Sequence, residues 1–272
     1  MRELMAANLV RLRKTPLFWG AALLHGAFAL FRIYTIFDDR KYGYQTTLDE
    51  ALFTYIMIAG LVMAVFIAVF LGTEYSDGTI RNKIAAGHSR SCIYLANLLT
   101  VCLACLIFTA VYLLTALAVG LPVLGGLTLS APVILTTLLG TLATAAAFCS
   151  LYTLFGICVS RKSTGCILSI LLFFGMMIAS TYFAARLDAP EERVVMDMVD
   201  GELVSRMEPN PKYLTGEERK VYQFALDFLP TGQATQYVVM TDKAGEMSLY
   251  SGCIVLLTTG GGLAYFRRKD IR

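Results

Sequence analysis

The sequence predicts an all-α integral membrane protein with six transmembrane helices and both termini in the cytoplasm, and three observations lead there. First, 57% of the 272 residues are hydrophobic and only 16% are charged, with a mean hydropathy of +0.63. Soluble globular domains carry about a quarter charged residues, so a water-soluble enzyme is excluded. Second, the chain contains several uncharged stretches of roughly the 20 residues a helix needs to cross a hydrocarbon core. Third, the remaining charges are sorted by side: the net charge of +3 is too small to argue for nucleic acid, but its distribution is strongly uneven.

Taken in order, residues 1–16 read as a cytoplasmic amphipathic N-terminal helix, in which Leu4, Met5, Leu9, Val10 and Leu12 are interspersed with Arg2, Arg11, Arg13 and Lys14. Such a segment either lies on the inner leaflet or serves only as a basic topogenic tail. Residues 17–37 form the first span, interrupted by His25 and Arg32, with Trp19 at headgroup depth. Its Ala27-Phe28-Ala29 resembles a signal-peptide cleavage site, but the apolar stretch runs on past Ala29 and further spans follow, so an uncleaved anchor is the reading. Residues 51–73 form the second span. Residues 91–160 hold no charge at all, too long for one crossing; Gly120, Pro122, Gly125, Gly126, Ser130 and Pro132 divide them into spans at about 94–120 and 133–159. Residues 163–185 and 247–266 complete the six, and residues 267–272 form a cytoplasmic tail.

Basic residues flanking short loops stay on the cytoplasmic side. With the N-terminus inside, the inner segments hold thirteen Lys and Arg against four acids, and the outer segments nine against sixteen. The seven Cys, at positions 92, 102, 105, 149, 158, 166 and 253, all avoid the long outer segment. They read as small packing residues, with no disulfide framework and no metal-ligand spacing.

Chemistry has to reside in the loops or in polar residues inside the spans. In the inner loop of residues 72–90, Ser76 or Asp77 is an expected N-cap, Ile80 and Ile84 share a face, and Gly87 can end a helix in a left-handed conformation. A helix of about ten residues is too short to stand alone in water and needs something to dock against; otherwise the loop is a tight connection with topogenic charges. The outer segment 186–246 contains a capping-box pattern at Thr215 and Glu218, then Val221, Phe224, Ala225 and Phe228 at helical spacing until Pro230. That greasy face either packs within the outer domain or makes Phe224, Phe228 and Pro230 an outer gate, a dimer contact or a substrate contact. Residues 187–208 show no clear periodicity. His25 and Arg32 stand on one helix face and are candidates for a translocation path, although Arg32 can snorkel outward and His25 can equally be a neutral, hydrogen-bonded packing residue. Within the spans as drawn there is no Asp or Glu to relay protons or bind sodium.

The residues Glu74, Gly78, Thr79, Ile80, Arg81, Lys83, Ser89 and Arg90 resemble, in place, the inner loop between spans two and three of the permease subunits of type-2 ATP-binding-cassette exporters. Phe228-Leu229-Pro230-Thr231-Gly232-Gln233-Ala234 is similar to the Leu-Pro-x-Gly segment before the sixth helix of bacitracin- and lantibiotic-resistance-type permeases. The resemblance implies a short coupling helix, with Glu74, Asp77, Gly78, Thr79, Ile80, Arg81, Lys83, Ile84 and Arg90 engaging a separate ATPase subunit. It also implies two ATPases and a second permease per complex, as homodimer or heterodimer, with ATP and Mg²⁺ bound by the partner and none by this chain. No phosphate-binding Gly-x-x-x-x-Gly-Lys-Ser/Thr loop occurs in the sequence, as a non-enzymatic permease requires. The expected function is export of a drug, antimicrobial peptide or lipid across a bacterial cytoplasmic membrane. Two alternatives remain open at this point: a membrane sensor or scaffold that binds a ligand through residues 186–246, and an ion-coupled secondary carrier.

Overall fold

The computed structural model describes residues 1–159, 161–199 and 202–270. Ser160, Asp200, Gly201, Ile271 and Arg272 lie outside them, including the end of the expected cytoplasmic tail. Six helices among the described residues are long and apolar enough to cross a membrane.

Helix α1 (Arg2–Lys14) ends at Thr15, whose extended backbone is what the following Pro16 demands, and Pro16 opens α2 (Pro16–Asp39) at its first position. Leu4, Asn8 and Leu12, spaced by four, form the buried face of α1. That face packs on the later helix α6, so α1 is docked on protein along this stripe. Helix α2 also packs along α6, through Ala21, Ala22, His25, Ala29, Ile33 and Ile36. The small residues on this face allow the close approach that drives helix association in lipid.

A short helix α3 (Asp49–Leu52) precedes α4 (Tyr55–Ser76), so the second span begins with a bend at Phe53 and Thr54 where an unbroken helix was expected. Helix α4 is apolar all round and is the most buried span, packing on α2, α6, α7 and α8. Gly72 is where α4 meets the start of α8: a Cβ built there would lie 2.7 Å from the Cα of Lys162.

Helix α5 (Thr79–Ala85) follows after Asp77 and Gly78, and α6 (Arg90–Leu124) runs for 35 residues. At 1.5 Å per residue α6 is about 50 Å long, well beyond a hydrocarbon core of about 30 Å. It passes through Gly120 and Pro122, where the sequence suggested a break, and stops instead at Gly125, which holds a positive φ of +96°. Arg40 then donates to the end carbonyls of α6, Val123 O at 3.2 Å and Leu124 O at 2.6 Å. Asp49 accepts from the backbone N–H of Thr128 at 2.8 Å, fastening α3 to the connection that follows α6.

Helices α7 (Ala131–Cys158) and α8 (Lys162–Leu187) are the fourth and fifth spans. Beyond α8 an antiparallel hairpin, β1 (Glu192–Val199) and β2 (Glu202–Pro209), occupies the stretch that showed no helical period, with Glu192 opposite Pro209 and Val199 opposite Glu202. Helices α9 (Gly216–Phe228) and α10 (Pro230–Val238) lead to the last span, α11 (Ala244–Arg268). Residues 186–246 are therefore not detached from the bundle. Leu226 and Tyr222 of α9 pack with Leu187 and Phe183 of α8, and α10 is wedged against α4, α7 and α8.

The main core cluster is rich in aromatic rings and runs along α4, α6 and α7, with smaller clusters apart from it. Phe66 and Phe108 meet edge to face at 5.5 Å, and Tyr55 Oη donates to Thr141 Oγ1 at 2.8 Å.

Candidate functional site

The end of the bundle that carries α5 is organised around one carboxylate. Glu74 lies in the last turn of α4, and its side chain is fully buried. An isolated carboxylate there would be costly, and the chain surrounds it with donors. Arg11 of α1 lies 2.6 Å from Oε1, stacked 3.7 Å over the Phe70 ring, and Lys83 of α5 donates to the same oxygen. Asn97 of α6 donates to Oε2 at 2.7 Å. Asn8 of α1 closes the network by donating to Asn97 Oδ1 at 2.8 Å and accepting from Lys83 Nζ at 2.9 Å. Four helices are thus fastened at one point. Burial pulls the Arg11 guanidinium and the Lys83 ammonium below their usual ranges, and the Glu74 charge opposes that in both. Glu74 and Asp49 sit in the helices around the second span, more deeply than the sequence placed any acid; both are engaged by donors.

Helix α5 is seven residues long, shorter than the ten expected, and neither Ser76 nor Asp77 caps it. Its N-cap is Gly78, with φ +67° and no side-chain hydrogen bond. Its C-terminus closes as expected on Gly87, at φ +87°: Gly87 N donates to Ile84 O at 2.9 Å and His88 N to Lys83 O at 3.2 Å, a Schellman pattern. Ile80 is buried and Ile84 half-buried against the core, so these two and Lys83 hold α5 to its own chain. Asp77, Arg81, Asn82, Ala85 and Ala86 face outward, with Thr79 half-buried at the first turn. The predicted coupling residues thus divide into an inner set, Glu74, Ile80, Lys83 and Ile84, that anchors the helix, and an outward set, Asp77 and Arg81, at the surface.

Arg90, the last of that predicted set, does something else. It opens α6 and donates through Nη1 to the end carbonyls of α11, Phe266 O at 3.2 Å and Arg267 O at 3.3 Å, and to Lys269 O. Lys269 in turn donates to Ile157 O at 2.6 Å and Cys158 O at 3.3 Å, the C-terminal carbonyls of α7. Cations at helix C-termini satisfy orphan carbonyls and favour the dipole there. The α5–α6 corner is in this way connected to α11 and α7.

Within the spans, His25 is 1% exposed, its Nδ1 is 2.8 Å from Ala21 O, and its ring stacks on Phe108 at 5.3 Å. It is enclosed between α2 and α6. Arg32 is half-buried and donates to Thr35 Oγ1 at 3.2 Å.

The opposite end has its own buried hub, at Gln233 of α10. Thr144 Oγ1 and Ser251 Oγ each donate to its Oε1 at 2.6 Å, and its Nε2 donates to Asp227 O at 2.9 Å and Met247 O at 3.2 Å. Ser180 and Thr231 bond at 2.7 Å, and Gly232 is required because a Cβ would lie 2.1 Å from Leu226 O. The Pro230-to-Ala234 segment is therefore buried among the spans. The α9 face expected to be greasy is not the one that packs: Leu226 and Asp227 are buried, while Val221 and Phe224 are 63% and 53% exposed. Thr215 is the N-cap as predicted, but makes no side-chain capping bond. Phe224, Phe228 and Tyr250 of α11 form an aromatic trio, with centroids 5.5 to 6.2 Å apart.

Sequence reasoning missed Asn8, Arg11, Asn97, Lys269 and Gln233. Their only local signal is that polar residues occur where an apolar stripe would continue.

This arrangement defines a multi-pass α-helical membrane protein with a short helix fastened to one end of its bundle. The family model of the ABC-2 family transporter proteins matches residues 30–196, more than half of the chain, and the chain belongs to that family. It is a membrane permease component of an ABC transporter, of a family that normally works with ATPase subunits. The match spans α5 and the Glu74 side of the hub but not α1, α9, α10 or α11. No curated protein matches the chain.

Proposed function

We propose that the chain is one permease subunit of an ATP-driven exporter in a bacterial cytoplasmic membrane, with α5 as its coupling helix. The observation that carries this is the two-sided construction of α5. Ile80, Ile84 and Lys83 root it in the bundle through the Glu74 hub, while Arg81, Asn82, Ala85 and Ala86 remain outward. Force applied to that outer face reaches α4, α6 and α1 through Glu74. Arg90 and Lys269 carry it on to α11 and α7. Two ATPase subunits, holding ATP and Mg²⁺, and a second permease, identical or homologous, complete the machine on this reading. A bacitracin- or lantibiotic-resistance type of exporter fits the Pro230-to-Ala234 likeness, with an amphiphilic drug, antimicrobial peptide or lipid as cargo.

The test is copurification with the ATPase subunit. Arg81→Glu reverses charge on the outer face without disturbing the hub, and is expected to abolish copurification and substrate-stimulated ATP hydrolysis while the permease stays folded and monodisperse. Ile80→Asp is expected to lose both by releasing the helix. Unchanged assembly and stimulation in both variants would refute the assignment.

A further inference from the structure

At the end of the molecule opposite α5, an open groove of about 480 Å³ runs between α9 and the start of α11, lined by Arg219, Gln223, Phe224, Asp227 and Tyr250 among others. We propose that it binds an anionic phospholipid of the adjacent leaflet, with the phosphate on Arg219 and the acyl chain along Phe224, Phe228 and Tyr250. This holds whether or not the coupling assignment above is correct.

Depth is the first argument. Tyr250 belongs to α11, itself one of the six candidate spans, six residues past its start at Ala244. It is also only three residues inside the span read at 247–266, about 4.5 Å along the helix and so just within the apolar layer. The three rings therefore sit at the boundary between headgroups and acyl chains, where aromatic side chains concentrate. Exposure is the second. The apolar face through Val221 and Phe224 remains uncovered although α9 has an apolar neighbour in α8, to which it presents Leu226 instead. At this depth lipid is the surrounding solvent.

Charge is the third argument. Asp227 is engaged by Gln223 at 2.7 Å and Lys243 at 3.3 Å, and Lys220 pairs with Glu217 at 2.7 Å. Glu218 stands on the Tyr222 side of the helix. Among the described residues Arg219 has no side-chain partner, and five donors at the rim of an aromatic groove suit a phosphodiester.

The chain has a single tryptophan, so the groove can be read by fluorescence. In full-length protein carrying Trp19→Phe and Phe224→Trp, reconstituted in phosphatidylcholine vesicles, the introduced indole is quenched by added lipid with brominated chains. Brominated phosphatidylglycerol is expected to associate about fivefold more strongly than brominated phosphatidylcholine, the effect of one surface cation. Arg219→Gln should bring that ratio to one and Arg219→Lys should keep it. Quenching that is strong but equal for the two lipids would overturn the proposal, as would no quenching by either, which would mean that protein covers the groove. Relief of quenching by glycerol phosphate in solution would overturn it in favour of a soluble phosphate.

Discussion

The most consequential single residue is Glu74, because one carboxylate holds two cations taken out of water. Removing one partner of a buried charge network leaves the others uncompensated, at about 3–5 kcal/mol. Glu74→Gln keeps the shape but leaves Arg11 and Lys83 facing an amide, and is expected to lower the apparent melting temperature of the purified protein sharply. Lys83→Met should cost less, since Arg11 still neutralises Glu74. A melting temperature for Glu74→Gln equal to that of the wild type would show that the carboxylate stabilises nothing. The sequence pointed to Glu74 and Lys83 through the loop resemblance, but not to their partners. Asn8 and Asn97 are 89 residues apart in the chain, and no local period encodes such a meeting. His25 was legible as a polar residue in a span; its stacking on Phe108 of α6 was not.

At the scale of elements, the six spans were readable because apolar length is the strongest signal a membrane chain carries. Boundaries moved where tertiary contacts compete with local rules. Helix α6 continues past Pro122 because Arg40 caps its end, and α4 begins after a bend that Asp49 and Thr128 stabilise. The hairpin was not legible because both its faces are largely exposed, with Val194, Met196 and Met207 on one side, so burial imposes no alternation of polarity. Helix α10 hid for the opposite reason: within nine residues its apolar face is a mixture of Pro, Gly, Thr and Gln that reads as loop until the bundle supplies the partners. Close packing between spans gives a direct test. Gly72→Ala forces a Cβ to within 2.7 Å of the α8 backbone, and should destabilise by about 1–3 kcal/mol, as overpacking does. Gly175→Ala in α8, with open space around it, should leave the melting temperature unchanged. Equal effects would mean that the α4–α8 crossing is not set by Gly72.

For the whole molecule, what the fold adds to the charge count is where the charges are anchored. Roughly +9 on the proposed inner side and −7 on the outer follow from the spans. The structure shows that part of the inner excess is committed: Arg11 and Lys83 to Glu74, Arg90 and Lys269 to helix ends. On the proposed reading, topogenic charges and coupling charges are partly the same residues, which would tie orientation to mechanism. If the six spans run as proposed, α5 lies in the cytoplasm and the hairpin outside, and the two can be labelled separately. In a background lacking the seven native cysteines, Asn82→Cys on the outward face of α5 should react with a membrane-impermeant maleimide only in inverted vesicles. Ser205→Cys, exposed on β2, should react only in intact spheroplasts. Reversal of both would invert the molecule and place α5 where no ATPase could reach it. Labelling of both from one side would require an odd number of crossings between α5 and the hairpin to be replaced by an even one, and with it a different role for α8.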